Sequence, residues 1–277
     1  MKAIFPASID GDLLKLVHLS NGFRLIPGAT PIVAGDVCIA DAHISSVKNT
    51  DAGKVVKVKG HVFRDGKPVI EVVSSFIYRG RFTDFENTFE TTDEPDYVVE
   101  IANDANVGVL KSKQWLDWED ESTPLKAGMT LVFRVRSQVT FKDKTIYRDV
   151  TVTGDVFVRD QLKRLKKVAS VVFEEEGCHG NPVMAYLERH GAQEGRFTPL
   201  GNEYSMSGKV STAFTSPLTN EPYSKVSGDF NPIHVNPYFA DYASLPGTIT
   251  HGMWSSAATR RYVENIVAEG NPDRVVA

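Results

Sequence analysis

The residue types best suited to chemistry are concentrated in the stretch VSGDFNPIHVNPYFA, near the C-terminal end of the chain. Asp229 and His234 lie five residues apart, on either side of Asn231-Pro232. Proline fixes its own φ and disfavours helical geometry at the residue before it, so we expect a rigid bend here. Such a bend can direct the carboxylate and the imidazole into one pocket as an acid/base pair. The alternative is an aspartate that caps a helix and a hydrogen-bonded core histidine.

A second group of interest is His251-Gly252, where a helix that begins with small residues is predicted to start. The N–H groups of a first helical turn are unpaired and carry the positive end of the helix dipole. Gly252 has no side chain to block a ligand oxygen, so its N–H is a candidate oxyanion donor. The alternative is a glycine that only permits tight packing. We predict that His251 is structural, or hydrogen-bonds to the loop, rather than acting as a base.

A general base, a general acid and a carbonyl clamp together suit chemistry beside a thioester carbonyl. A proton would leave C2, and hydroxide would leave C3 as water. The motifs of other enzyme classes are missing: there is no G-x-S-x-G elbow and no G-x-G-x-x-G loop, and Glu203 stands where a P-loop before GKVS needs glycine. Asp229, His234 and His251 could be imagined around a metal ion, but no compact H-x-x-E or H-x-H spacing supports one. We therefore predict no metal site.

The composition excludes several other functions. The 277-residue chain has a net charge of -4, which provides no basic surface for nucleic acid. Its two cysteines, Cys38 and Cys178, form neither a metal-binding spacing nor a disulfide framework, which favours a reducing, cytoplasmic setting. No apolar run reaches the roughly 18 residues of a membrane span.

Alternation of apolar and polar residues predicts antiparallel strands through most of the first 170 residues. We expect three strands between Pro31 and Tyr78, with Asp65-Gly66 as a hairpin turn. Upstream of them, DGDLLKLVHLSNGF is predicted to be a helix that Asn21-Gly22 ends. The acidic stretch TDFENTFETTDEPD is predicted to be an irregular boundary before a second meander. In that meander one strand has a predicted inner face: Phe133, Val135, Ser137, Val139 and Phe141.

The last third of the chain has a different pattern. A short helix is predicted at residues 181–191, an irregular glycine-rich segment at 195–214, and a loop at 217–234. Asn236 is predicted to cap a short helix with Pro237 in its first turn. A longer helix is predicted to run from about Gly252 to about Glu269.

Several of these stretches resemble a known family. Tyr223, Ser227-Gly228-Asp229, Asn231-Pro232, His234 and His251-Gly252-Met253 together resemble the MaoC-like hydratase/dehydratase signature. The upstream stretches RDGKPVIEV, YRGRFTDFENTF and GCHGNPVMAYL, and RRYVENIVAEGNPDRV further on, are similar to the dehydratase region of the fungal type I fatty acid synthase beta subunit. The resemblance covers essentially the whole chain.

The resemblance implies an α+β fold of tandem hot-dog modules, in which curved antiparallel sheets surround central helices. The modules would span residues 1–95, 96–170 and 171–277, and only the last would carry a catalytic motif. The implied reaction is dehydration of (3R)-hydroxyacyl-ACP to trans-2-enoyl-ACP, without a cofactor. The implied partners are the acyl carrier protein, which holds the substrate on its phosphopantetheine arm, and the other domains and subunits of a large hetero-oligomeric synthase.

Residue roles also follow from the resemblance. His234 would take the C2 proton, Asp229 would protonate the departing hydroxyl, and the Gly252 N–H would hold the thioester oxygen. Four further residues would bind substrate or shape the site: Asn231, Tyr223, Ser227 and His251. In this family an aspartate precedes the proline that starts the short helix, whereas this chain has Asn236, which should still cap that helix.

Two alternatives remain open at the level of sequence. One is a non-catalytic scaffold within the same synthase, and the other is a starter-unit synthase of a polyketide pathway. The family pattern also places strands after the long helix, and this sequence stops at Ala277. We therefore expect an incomplete last module that leaves Met253, Tyr262 and Ile266 exposed and is weakly active or inactive by itself.

Overall fold

The computed structural model describes residue 9 and residues 11–194 and 215–275. The glycine-rich segment predicted at 195–214 lies outside the described residues. The strands are β1 Leu16–Leu25, β2 Cys38–Asn49, β3 Gly53–Arg64, β4 Lys67–Arg79, β5 Phe89–Asp93, β6 Tyr97–Glu100, β7 Leu116–Trp118, β8 Thr130–Phe141, β9 Tyr147–Arg159, β10 Leu165–Glu176 and β11 Gly191–Gln193. The helices are α1 Asp104–Lys111, α2 Pro182–His190, α3 Glu221–Ser227, α4 Pro232–Val235, α5 Pro237–Tyr242 and α6 Gly252–Tyr262. No helix in the described part of the chain is long and apolar enough to cross a membrane.

The chain divides into two compact units. A terminal unit comprises residues 1–83 and 203–277, and a middle unit comprises residues 84–202. Of the module boundaries expected from the sequence, the one after residue 95 falls between β5 and β6, and the one after residue 170 falls within β10.

The sheet of the terminal unit has the strand order β1-β4-β3-β2, and every neighbouring pair is antiparallel. The hairpin predicted at Asp65-Gly66 is confirmed, because both residues have positive φ, 52° and 72°, between β3 and β4. This is the backbone geometry that a two-residue turn between twisted strands requires.

The helix predicted upstream of this hairpin is wrong. Only Leu13–Lys15 form a helical turn, and the following ten residues form β1. The strand pairs with β4 from Leu16 opposite Tyr78 to Leu25 opposite Ile70. This pairing with β4 along the length of the strand overrides the near-helical spacing of its leucines.

The middle unit contains a sheet in which β8 pairs with β5 and β6, and β9 pairs with β8 and β10. The predicted inner face of β8 is confirmed: Phe133, Val135, Ser137 and Val139 are buried, and Phe141 is half-buried. Helices α1 and α2 add Leu110 and several other apolar side chains to the same core. The irregular boundary predicted around residue 90 is incorrect in part, because it contains β5, which pairs with β8.

Helices α3 to α6 carry the stretch that the sequence singled out. The loop predicted at 217–234 is wrong in part, because α3 occupies Glu221–Ser227. The predicted cap of α5 is confirmed: Asn236 Oδ1 accepts from the Tyr238 N–H at 3.0 Å. None of the side chains of α6 is buried. Beyond α6 a π-helical turn spans Val263–Val267.

Three apolar side chains on this last helical segment were expected to be exposed. Met253 and Ile266 are exposed as expected, whereas Tyr262 is half-buried.

Candidate active site

The Asp229 carboxylate is held by the turn that follows α3. Gly228 ends that helix with φ +71°, a left-handed conformation that glycine adopts without a steric penalty. The Asp229 N–H donates to Ser227 Oγ at 3.2 Å, and the Asn231 N–H donates to Asp229 Oδ1 at 3.1 Å. The Ser227 hydroxyl in turn donates to the Tyr223 carbonyl at 2.8 Å. Asp229 is therefore fixed by short-range bonds while its side chain stays 42% exposed.

His234 is positioned by the short helix that begins at the proline bend. Asn231 precedes the first residue of α4, and its Oδ1 accepts from the Ile233 N–H at 3.4 Å. The His234 ring lies with Nδ1 2.7 Å from the Ile249 carbonyl oxygen. Because a carbonyl oxygen only accepts, Nδ1 carries the proton. In the neutral ring, Nε2 then has a free lone pair and can act as a base.

His251 lies directly against His234. The two rings are stacked, with centroids 3.9 Å apart and planes 25° apart. His251 Nε2 lies 3.0 Å from the Asp229 carbonyl oxygen and 3.3 Å from Ser224 Oγ, so this nitrogen carries the proton. The ring is almost completely buried, and in the described part of the chain its Nδ1 has no hydrogen-bond partner. His251 thus hydrogen-bonds to the backbone of Asp229 and packs on the face of His234.

The three titratable side chains form one cluster. Single ligand-type atoms of Asp229, His234 and His251 all lie within 4.8 Å of one another. Such a set could in principle hold a metal ion, but two stacked imidazoles direct their in-plane lone pairs side by side rather than towards one point. His251 Nε2 is also occupied by the Asp229 carbonyl. This arrangement favours proton transfer over the convergent ligation that a metal needs.

The surroundings shift the pKa of His234, which belongs to the cluster, and the pKa of Tyr223, which lies beside it. Burial lowers the pKa of His234 below its ordinary 6.5, and the neighbouring His251 acts in the same direction. The hydrogen bond to Ile249 and the charge of Asp229 oppose this shift only in part. Burial also raises the pKa of Tyr223, whose ring centroid lies 4.9 Å from that of His251, and the Asp229 charge adds to the increase. His234 is therefore neutral, and available as a base, at neutral pH.

Gly252 is the first residue of α6, so its N–H has no acceptor in a preceding helical turn. A Cβ at this position would lie 2.6 Å from Nδ1 of His18 on β1. Sequence reasoning missed His18 because it placed that histidine inside a predicted helix.

Asn220 is a second functional residue that sequence reasoning missed. Its Nδ2 donates to the His234 carbonyl at 2.9 Å and to the Ile249 carbonyl at 3.0 Å. The side chain is 8% exposed and links the two segments that meet at the His234 ring. An asparagine before Glu221-Pro222 reads as an ordinary helix cap, so the local pattern contains no signal for this role.

Three family models match parts of this chain. Residues 198–277 match the MaoC like domain, residues 1–72 match the FAS1-like, dehydratase domain region, and residues 89–187 match the fatty acid synthase subunit beta, insertion domain.

Curated relatives match almost the whole chain. The fatty acid synthase subunit beta of Saccharomyces cerevisiae is 48% identical over 99% of this chain, and that of Schizosaccharomyces pombe is 49% identical over 99%. The fatty acid synthase beta subunit TOXC of Cochliobolus carbonum is 39% identical over 99%. The chain spans 13% to 14% of the length of these relatives. It therefore belongs to the family of fatty acid synthase beta subunits, of which it forms a part, and its residues 198–277 match the MaoC like domain.

Proposed function

We propose that this chain provides the site at which a (3R)-3-hydroxyacyl thioester loses water to give the trans-2-enoyl thioester. The observation that carries the proposal is the placement of the Asp229 carboxyl group beside the His234 imidazole, whose Nδ1 donates to the Ile249 carbonyl and whose Nε2 is thereby the unprotonated nitrogen. An unprotonated Nε2 next to a carboxyl group is the pair that a β-elimination needs.

The proton balance of this reaction closes within the pair. His234 Nε2 takes the proton from C2, and the electron pair of that bond forms the C2–C3 double bond. For this step Asp229 must start the cycle as the carboxylic acid: the hydroxyl leaves C3 and takes the carboxyl proton, so the product is water. Each turnover therefore leaves His234 protonated and Asp229 as the carboxylate, and transfer of one proton from His234 to Asp229 restores the starting state.

The Gly252 N–H is proposed to hold the thioester oxygen. Charge develops on that oxygen as the C2 proton leaves, and an N–H at the positive end of a helix stabilises it. The elimination is proposed to need no metal and no cofactor, because both proton transfers are made by side chains of the chain. Asn231, Ser227, Tyr223 and His251 are proposed to shape the site through the contacts described above.

The substrate is proposed to arrive on the phosphopantetheine arm of an acyl carrier protein, in a cytoplasmic synthase that contains the other domains and subunits. Membership of the beta-subunit family supports this proposal. Turnover of thioesters of different chain length would measure the acyl-length preference of the site.

The test measures interconversion of 3-hydroxybutyryl and crotonyl thioesters by the full-length protein that contains this chain. We expect His234→Ala and Asp229→Asn each to lower kcat by about 10²–10⁴-fold, the usual contribution of acid/base catalysis. Asp241→Asn changes an exposed acid on α5 and is the matched control, for which we expect wild-type turnover. Unchanged turnover in both site variants would refute the proposal and favour a scaffold role.

A further inference from the structure

A β-bulge in β1 directs two side chains towards the start of α6. His18 lies opposite Phe76, Ser20 lies opposite Ser75, and the register shifts between His18 and Ser20. Asn21 lies opposite Ser74, two residues from the partner of His18. Opposed residues share a face of the sheet, so His18 and Asn21 face the same side although they are three residues apart. Without the bulge they would point to opposite faces.

Both side chains contact the first turn of α6. The His18 ring lies in the space that a Cβ of residue 252 would occupy. The Asn21 amide donates to Met253 Sδ, and the Ser74 hydroxyl donates to Asn21 Oδ1, which orients that amide. Two consecutive residues at the start of α6 therefore rest on one strand.

The His18 ring is itself held in place. It stacks on Phe76 with centroids 4.8 Å apart and planes 17° apart. Its Nε2 donates to the Ser20 carbonyl at 2.9 Å, across the bulge. In the neutral ring this leaves Nδ1 without a hydrogen, and Nδ1 is the atom nearest to the missing Cβ of residue 252. A ring held by stacking on one face and by a hydrogen bond at one edge provides a rigid support for the backbone that it contacts.

We propose that His18 is a positioning residue that sets the Gly252 amide through direct contact with the glycine backbone. The proposal rests on the function proposed above, in which that amide holds the thioester oxygen. The contact gives a second reason for glycine at residue 252: a side chain there would collide with the His18 ring as well as block a ligand. His18 acts through Gly252 and touches no reacting atom.

The first test is a kinetic double-mutant cycle in the full-length protein, with crotonyl thioester as the probe. We expect His18→Ala to lower kcat by about 10- to 100-fold, the scale of a small misplacement of a catalytic group, and to change KM by less than about twofold. Gly252→Ala should lose activity strongly in the wild-type background. In the His18→Ala background it should add little further loss, because the space for the methyl group is then open.

The second test measures thermal unfolding of the same four proteins and does not depend on the reaction. We expect Gly252→Ala to lower Tm by about 3–10 °C when His18 is present, as overpacking does, and by much less in the His18→Ala background. His43→Ala changes an exposed histidine on β2 and is the matched control, which should keep both kcat and Tm.

Three results separate the outcomes. A wild-type kcat for His18→Ala overturns the positioning role. Equal losses from Gly252→Ala in both backgrounds, in kcat and in Tm, show that His18 does not impose the glycine, and they also overturn the proposal. If the Asp229 and His234 variants keep full turnover, the proposed function fails, whereas a non-additive change in Tm would still establish the contact.

Discussion

The core of the middle unit and the segment from Asn220 to Gly252 are built on different principles. The middle unit buries a continuous apolar cluster supplied by strands β6 to β10 and by helices α1 and α2. The segment of the terminal unit buries few apolar side chains, Ile233 among them, and four polar ones: Asn220, Ser224, His234 and His251. Apolar burial stabilises a fold without specifying direction, whereas each buried polar group needs a partner in a defined place. Apolar burial thus stabilises the middle unit, whereas the hydrogen bonds of the buried polar groups orient the two histidines of the segment.

The largest expected effect on stability lies in the middle unit. Phe133→Ala removes a fully buried ring from β8 and should lower the free energy of unfolding by about 3–5 kcal/mol. Because Phe133 belongs to the apolar core and not to the site, kcat per folded molecule should stay unchanged. Denaturant unfolding and active-site titration measure the two quantities separately. A large fall in kcat with little loss of stability in Phe133→Ala would contradict the proposed difference between the two regions.

A smaller stability effect with a larger kinetic effect is expected at Asn220. Asn220→Ala removes the donors to two carbonyls and should lower the free energy of unfolding by about 1–3 kcal/mol. It also releases the segments on both sides of the His234 ring, so kcat should fall by about 10-fold or more.

A matched control for Asn220 is available on α1. Asn103 also precedes a helix, but its side chain accepts a backbone N–H of the first turn at 3.0 Å, so Asn103→Ala should cost about 1 kcal/mol with kcat unchanged. Equal kinetic losses in the two variants would contradict the positioning role of Asn220.

The smallest expected effect is a shift of pH dependence caused by His251. The base His234 must be neutral, and burial and His251 lower its pKa below 6.5. The acid limb of kcat/KM in the wild-type protein should therefore lie below pH 6.5. His251→Asn removes the imidazole that lowers this pKa, so the limb should move to higher pH. A limb that stays in place or moves to lower pH would show that His251 does not influence the base.

The sequence predicted the Asp229 and His234 pair better than it predicted the residues that hold the site in place. Asp229, His234 and the bend between them could be predicted because proline restricts the backbone locally. The strands of the meanders followed from alternation, as at Phe133 and its neighbours. The residues that position this site could not be predicted in this way, because their contacts join parts of the chain that are far apart in sequence. His18 reaches Gly252 only through pairing of β1 with β4 and a bulge, and the near-helical spacing of leucines around it indicated the wrong element.

Chemical rescue of His234→Gly by free imidazole tests the central claim most directly. This substitution removes the buried ring whose free Nε2 is proposed to take the C2 proton, and imidazole can supply the same nitrogen. We expect turnover to fall by about 10²–10⁴-fold and then to rise with the concentration of neutral imidazole. A thioester deuterated at C2 should show a primary isotope effect in the rescued reaction. Wild-type turnover by the folded variant without imidazole would contradict the assignment of His234 as the base.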